Sequence, residues 1–91
     1  MFIAVAYDIP SDIRRNRLHK VLKGYLTHVQ KSVFEGFIEP SQLKELKGKV
    51  QRVIKPKNDL VRYYYLCDAC RKQIEVTPPS AIAIDPKTIV V

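Results

Sequence analysis

The chain has 91 residues, with sixteen Lys and Arg against nine Asp and Glu, a net charge of +7. That length suits one domain and leaves no room for two. The 46% apolar share is enough to fold, and no apolar run approaches the ~20 residues of a membrane span. The opening Met1 to Asp8 has neither a basic region nor a small-residue cleavage site. It reads as a first strand, not a signal peptide, so a cytoplasmic protein without membrane association is expected. So basic a small chain calls for a polyanionic partner.

Phe2 to Asp8 is an apolar run rich in β-branched and aromatic residues, which predicts a central strand. Pro10 stops it. Ser11 is a good N-cap, and Asp12 suits the positive end of a helix dipole. Leu18, Val21, Leu22 and Tyr25 recur at i, i+3, i+4 and i+7, one apolar stripe on a helix from about Asp12 to Lys23. Gly24 terminates it. Arg14, Arg15, Arg17, Lys20 and Lys23 mostly avoid the stripe, which places them on the solvent side near the end of the first strand. With Lys31 they make six cations between Ile13 and Phe34 that no acid interrupts. Such clustering favours phosphate binding over general solubility.

Val29 to Ile38 predicts two strands joined by a reversal or bulge. Pro40 and Ser41 open a second helix with Leu43, Leu46, Val50, Val53 and Ile54 on its apolar face, ended by Pro56. Gly48 costs that helix about 1 kcal/mol relative to alanine. Asn58 and Asp59 form a turn. Leu60 to Leu66 is a strong strand, with Val61, Tyr63 and Tyr65 alternating against Arg62 and Tyr64. A polar turn is expected over Cys67 to Lys72, and short strands at Gln73 to Thr77, Ala81 to Ile84 and Thr88 to Val91.

The order β-α-β-β-α-β predicts an α+β, ferredoxin-like domain spanning 1–91, a four-stranded antiparallel sheet with both helices on one face. The other face then needs a cover. A homodimer of stacked sheets supplies one, with the tail at 78–91 forming an extra C-terminal strand that crosses to the partner subunit.

Cys67 and Cys70 form one C-x-x-C. A reducing cytosol disfavours a structural disulfide, and a zinc site needs four ligands. They read as two ordinary thiols near a turn, with a stabilising disulfide or a zinc ion shared across a dimer as alternatives. His19 and His28 are candidate acids or bases with no identifiable partner.

Asp8 is the only carboxylate in its strand. At a strand-to-helix junction it is either a cap or a metal ligand. The surrounding cations, and a two-fold axis that brings two copies together, favour metal. Magnesium is usually held by one or two carboxylates with water and phosphate oxygens, so two copies of Asp8 suffice, with Asp12 an optional contributor through water. Tyr7 points to the opposite face, as core, interface or, less simply, a stacking ring. Phe34 is most simply core, and an exposed aromatic there serves as a stacking platform.

Several segments together resemble one family. Tyr7-Asp8-Ile9 is similar to its "YDI" strand end, and Ser11-Asp12 with Arg14, Arg15 and Arg17 to its basic first helix. Gln30 to Gly36 resembles its "QxSVFEG" signature, and Asp59 to Cys67 its "DxVRxYxLC" strand. The family is the small CRISPR-associated adaptation proteins of Cas family two, the CRISPR-associated endoribonucleases. Its motifs cover about the first 75 residues. One position departs: Leu26 follows Tyr25 where glycine is frequent. The resemblance implies a homodimer holding Mg²⁺ or another divalent ion between two copies of a catalytic Asp8. It implies cleavage of single-stranded RNA or double-stranded DNA, and a scaffold role bridging dimers of the adaptation integrase during spacer acquisition. It assigns nucleic-acid contacts to Tyr7, Arg15, Arg17, Ser32 and Phe34, to which the basic helix adds Arg14 and Lys20. The alternative is a non-catalytic ferredoxin-like nucleic-acid-binding module.

Overall fold

The computed structural model describes residues 1–77. In chain order it contains β1 (Phe2–Asp8), α1 (Asp12–Lys23), β2 (Thr27–Gln30), β3 (Val33–Phe37), α2 (Pro40–Val53), β4 (Leu60–Leu66) and a short α3 (Asp68–Arg71). The strands form one antiparallel sheet in the order β2-β3-β1-β4. This is the ferredoxin-like arrangement expected from the sequence, with β1 central.

Alternation along β1 divides the sheet into two faces. Ile3, Val5 and Tyr7 point to the helices, where they share one core with Leu18 and Leu22 of α1 and Leu43, Leu46 and Val50 of α2. Both helices carry that face because their apolar residues recur at three- and four-residue spacing. Ser11 caps α1 by accepting the Arg14 N–H at 3.3 Å. Pro40 occupies the first turn of α2, and the Gln42 side chain accepts the Glu39 N–H at 3.2 Å. Leu26 is buried in the same core.

The other face is largely open. Phe2, Ala4, Ala6 and Asp8 point that way from β1. On β4 they stand opposite Leu66, Tyr64, Arg62 and Leu60. Leu60 is 51% exposed and Tyr64 47%. At one end, Phe2 meets the edge of Phe37 with ring centroids 4.9 Å apart. The Arg71 guanidinium lies 5.1 Å from the Phe37 centroid. Ile74 to Val76 lie beside Val29, Gln30, Val33 and Glu35, so the chain crosses part of the β2–β3 surface.

Three sequence expectations need correction or relocation. The β2–β3 pair starts at Thr27, reverses at Lys31–Ser32 and carries a register shift between His28 and Gln30, which absorbs Val29. The turn at Cys67 to Lys72 contains a helical turn, because Cys67 caps it and the Arg71 N–H donates to the Cys67 carbonyl at 2.8 Å. Gln73 to Thr77 is not a strand: Gln73 and Ile74 bond back to Cys70 and Arg71, and no ladder forms. The strands expected at Ala81 to Ile84 and Thr88 to Val91, and the crossing tail, lie outside the described residues.

Candidate nucleic-acid and metal site

The junction of β1 and α1 faces the β2–β3 turn. Between them lies a cleft of about 380 Å³ lined by Tyr7, Asp8, Ile9, Arg15, Asn16, His19, Lys31 and Ser32. Sheet register builds it. The Tyr7 N–H donates to the Ser32 carbonyl at 3.1 Å, which extends the β1–β3 ladder by one bond and sets the turn beside Asp8. The Tyr7 hydroxyl donates to the Lys31 carbonyl at 3.3 Å and fixes the turn from below. Burial pushes the Tyr7 hydroxyl pKa up, partly offset by the Arg15 charge, so it stays protonated as a donor.

Asp8 is exposed at the mouth. Ser11 already fills the capping role a carboxylate could have served here, so helix capping does not account for Asp8. Arg15 is braced at the lip, donating to the Ile9 carbonyl at 2.9 Å and pairing with the Asp12 carboxylate. Its remaining N–H donors are free to meet an incoming oxygen. Asp12 is thus occupied by Arg15.

His19 lines the cleft, with His28 packed against it. Their rings meet edge to face at 4.7 Å, and both pack on Phe34, at 5.1 Å and 4.7 Å. His28 Nε2 lies 3.4 Å from the Lys31 carbonyl. Burial, then the His28 and Lys23 charges, lower the His19 pKa. Neutral imidazole is therefore favoured in the free protein.

The structure brings Tyr7, Asp8, Arg15 and Ser32 together and separates the other candidates. Phe34 is 0% exposed, so its ring is core under the histidines and offers no face to a base. Arg14 is not a free phosphate ligand. Its Nε and Nη2 donate to Asp59 Oδ2 and Oδ1 at 2.7 and 2.9 Å. The sequence stripe put it on the solvent side, but the Asp59 turn comes up beside α1. Arg17 is exposed outside the cleft. Lys20 borders a different groove, shared with Tyr25, Glu45 and Lys49. There the Glu45 carboxylate binds the Tyr25 hydroxyl and Lys49. Sequence reasoning missed Asn16, named His19 only as a candidate acid or base without a partner, and counted Lys31 only among the clustered cations. The i, i+4 spacing of Arg15 and His19 on one helix face was the available signal.

Among the described residues no cluster of three or more His, Cys, Asp or Glu could hold a metal. The local donor set is one carboxylate amid cations. That fits a hard oxygen-seeking ion completed by phosphate and water, and does not fit a closed all-protein cage. No helix among the described residues is long and apolar enough to cross a membrane.

Comparison with known proteins agrees with this architecture. Residues 1–74 match the family model described as CRISPR associated protein Cas2. The CRISPR-associated endoribonuclease Cas2 1 of Chloroflexus aurantiacus is 43% identical over 77 residues, covering 84% of this chain and 83% of the relative. The crystal structure of Streptococcus pyogenes Cas2 superposes with a TM-score of 0.76 at 27% identity, over 84% of this chain and 98% of that one. A chain of a partial Cas6-RT-Cas1–Cas2 complex superposes with a TM-score of 0.75 at 29% identity, over 99% and 98%.

Proposed function

Because the chain belongs to the CRISPR associated protein Cas2 family, we propose that it is a homodimeric nucleic-acid-binding scaffold of spacer acquisition, whose cleft seats a phosphodiester beside Asp8. The observation that carries this reading is the cleft itself. An exposed carboxylate, a braced Arg15, Lys31 and Ser32 converge on one space, with Asn16 and His19 on its wall. Arg15 and Lys31 neutralise phosphate charge, while Ser32 and Asn16 supply neutral hydrogen bonds. The relative's name, endoribonuclease, and the neighbour's complex with Cas1 point to a cutting activity and an integrase partner.

The open sheet face, with exposed Leu60 and Tyr64 on it, supports a second copy of the chain as its cover. Asp8 lies at the end of the same strand, so a two-fold axis there would bring two carboxylates to one ion. A bound Mg²⁺ would supply charge neutralisation and an activated water. The chain's own residues would bind and orient the strand. Among the described residues Asp8 is the one carboxylate lining the cleft, a sparse site for catalysis, so holding nucleic acid between integrase dimers is the main role and cutting the lesser one.

The test compares wild type with Asp8→Asn on labelled single-stranded RNA and double-stranded DNA, with and without Mg²⁺, and measures binding in parallel. Cleavage by wild type, lost in Asp8→Asn at unchanged affinity, supports the metal site. Equal binding and no cleavage by either leaves the scaffold without an enzyme. Failure to bind either nucleic acid, or the adaptation integrase, overturns the reading.

A further inference from the structure

The two cysteines remain outside the cleft and its chemistry. Cys67 follows β4 as the N-cap of α3, and Cys70 lies within that helical turn. The Cys67 sulfur accepts the Cys70 backbone N–H at 3.3 Å. That bond folds the turn so that both cysteines lie on one short segment, three residues apart. Both residues are exposed.

We infer that Cys67 and Cys70 form a redox-active dithiol that undergoes reversible exchange with a low-molecular-weight disulfide. What carries this is the juxtaposition of two exposed cysteines in one helical turn, the first sulfur bonded to the backbone N–H of the second, in a turn short enough to close without unfolding the sheet. The two thiols are also unequal. Hydrogen bonds from Cys70 hold the Cys67 thiol below its ordinary range, whereas the Cys67 sulfur pushes Cys70 above it. The first is the attacking thiolate and the second the resolving thiol.

The exchange balances as follows. The Cys67 thiolate attacks one sulfur of a disulfide RSSR, forming a Cys67–SR bond and expelling one RS⁻, which takes up a proton. Cys70 then loses its proton and attacks the Cys67 sulfur, forming the Cys67–Cys70 bond and expelling the second RS⁻. The protein loses two electrons and RSSR is reduced to two RSH. The oxidised turn holds α3 closed at the end of β4, beside Arg71 on Phe37. This activity is independent of the cleft and of Asp8.

The test uses the full chain and oxidised glutathione at neutral pH, followed by acid quenching, alkylation and intact-mass measurement. Wild type should lose two hydrogens and escape alkylation. Cys70→Ser should stop as a glutathione adduct on Cys67. In the reduced wild type at neutral pH, Cys67 should alkylate faster than Cys70, as the more acidic thiol of the pair. Both serine variants should keep the wild-type melting temperature, since both sites are exposed. Equal alkylation rates, or adducts on either cysteine that never close to a disulfide, overturn the inference. So does a purified protein whose thiols are protected until a chelator removes a metal.

Discussion

Arg14, in the first turn of α1, clasps both carboxylate oxygens of Asp59, which lies forty-five residues away in the turn before β4. The Asp59 side chain is 0% exposed and also accepts the Lys55 N–H at 2.8 Å. The pair ties helix, turn and edge strand at the end of the sheet that carries Asp8.

That tie should be visible as acid sensitivity. The Arg14 hydrogen bond holds the Asp59 pKa below its ordinary value. The unfolded chain therefore binds more protons than the folded one, and stability falls as the pH drops. The contribution is complete above the ordinary Asp range and is lost as pH falls through the lowered folded value. Asp59→Asn should lower the melting temperature near pH 7 and flatten its fall in acid. Arg14→Ala should destabilise as well, because it strands a buried carboxylate. A double-mutant cycle by thermal unfolding should return strong coupling; simple additivity of the two losses contradicts the structure.

Nucleic-acid affinity should divide the cations that composition groups together. Arg15→Ala and Lys31→Ala should each reduce the slope of log affinity against log salt by about one. Arg17→Ala and Lys20→Ala, outside the cleft, should change it less. Fluorescence anisotropy across a salt series measures all four. Equal losses across the set point to a diffuse basic surface and remove the cleft from the account.

His19 should titrate below the ordinary histidine range, with burial the leading cause and the His28 and Lys23 charges adding to it. Here too the unfolded chain takes up the proton first, so this imidazole costs stability as pH falls through the ordinary range and below. NMR titration of the ring protons gives the value directly. His19→Phe should lessen the loss of stability on acidification. Bound phosphate should raise the same pKa, so affinity should strengthen as pH falls in wild type and less in the variant. A His19 that titrates normally leaves no basis for either effect.

Core and helix substitutions have opposite expected signs. Phe34→Ala should cost about 3–5 kcal/mol of stability, the range for removing a buried phenyl ring. Were Phe34 a stacking residue, the variant would keep its melting temperature and lose affinity alone. A Cβ placed at Gly48, within α2, meets nothing within 4 Å. Gly48→Ala should therefore stabilise by about 1 kcal/mol. Urea unfolding resolves both.

The long periodic segments were legible because their period reports burial directly. β1, α1, α2 and β4 fall where alternation or the three- and four-residue stripe places them. Asp8 stood out as the lone carboxylate at the end of an apolar strand beside the basic first helix, whereas Arg15 and Ser32 came from the family resemblance, and the structure sets all three on one cleft. Arg14 was misread because a helical stripe describes one helix, whereas its partner arrives from a distant turn. Phe34 reads from the sequence as core and is core; the nucleic-acid contact that the resemblance assigned to it is ruled out because His19 and His28 cover the ring. Their packing depends on a register shift between His28 and Gln30 that no local pattern marks. Residues 73–77 have strand-like composition, but bonds back into the helical turn take up the N–H groups of Gln73 and Ile74.

The alternation of Tyr7 and Asp8 makes β1 a phase-sensitive element. Tyr7 belongs to the helix-side core and Asp8 to the open side, one residue apart. A single residue inserted or deleted within β1, with its hydrogen-bond ladders kept, exchanges the two sides. The carboxylate would then turn under α1 and the phenol outward. A change of length within β1 is therefore a different kind of edit from a replacement: a replacement alters one contact, whereas a length change re-faces every side chain on one side of it.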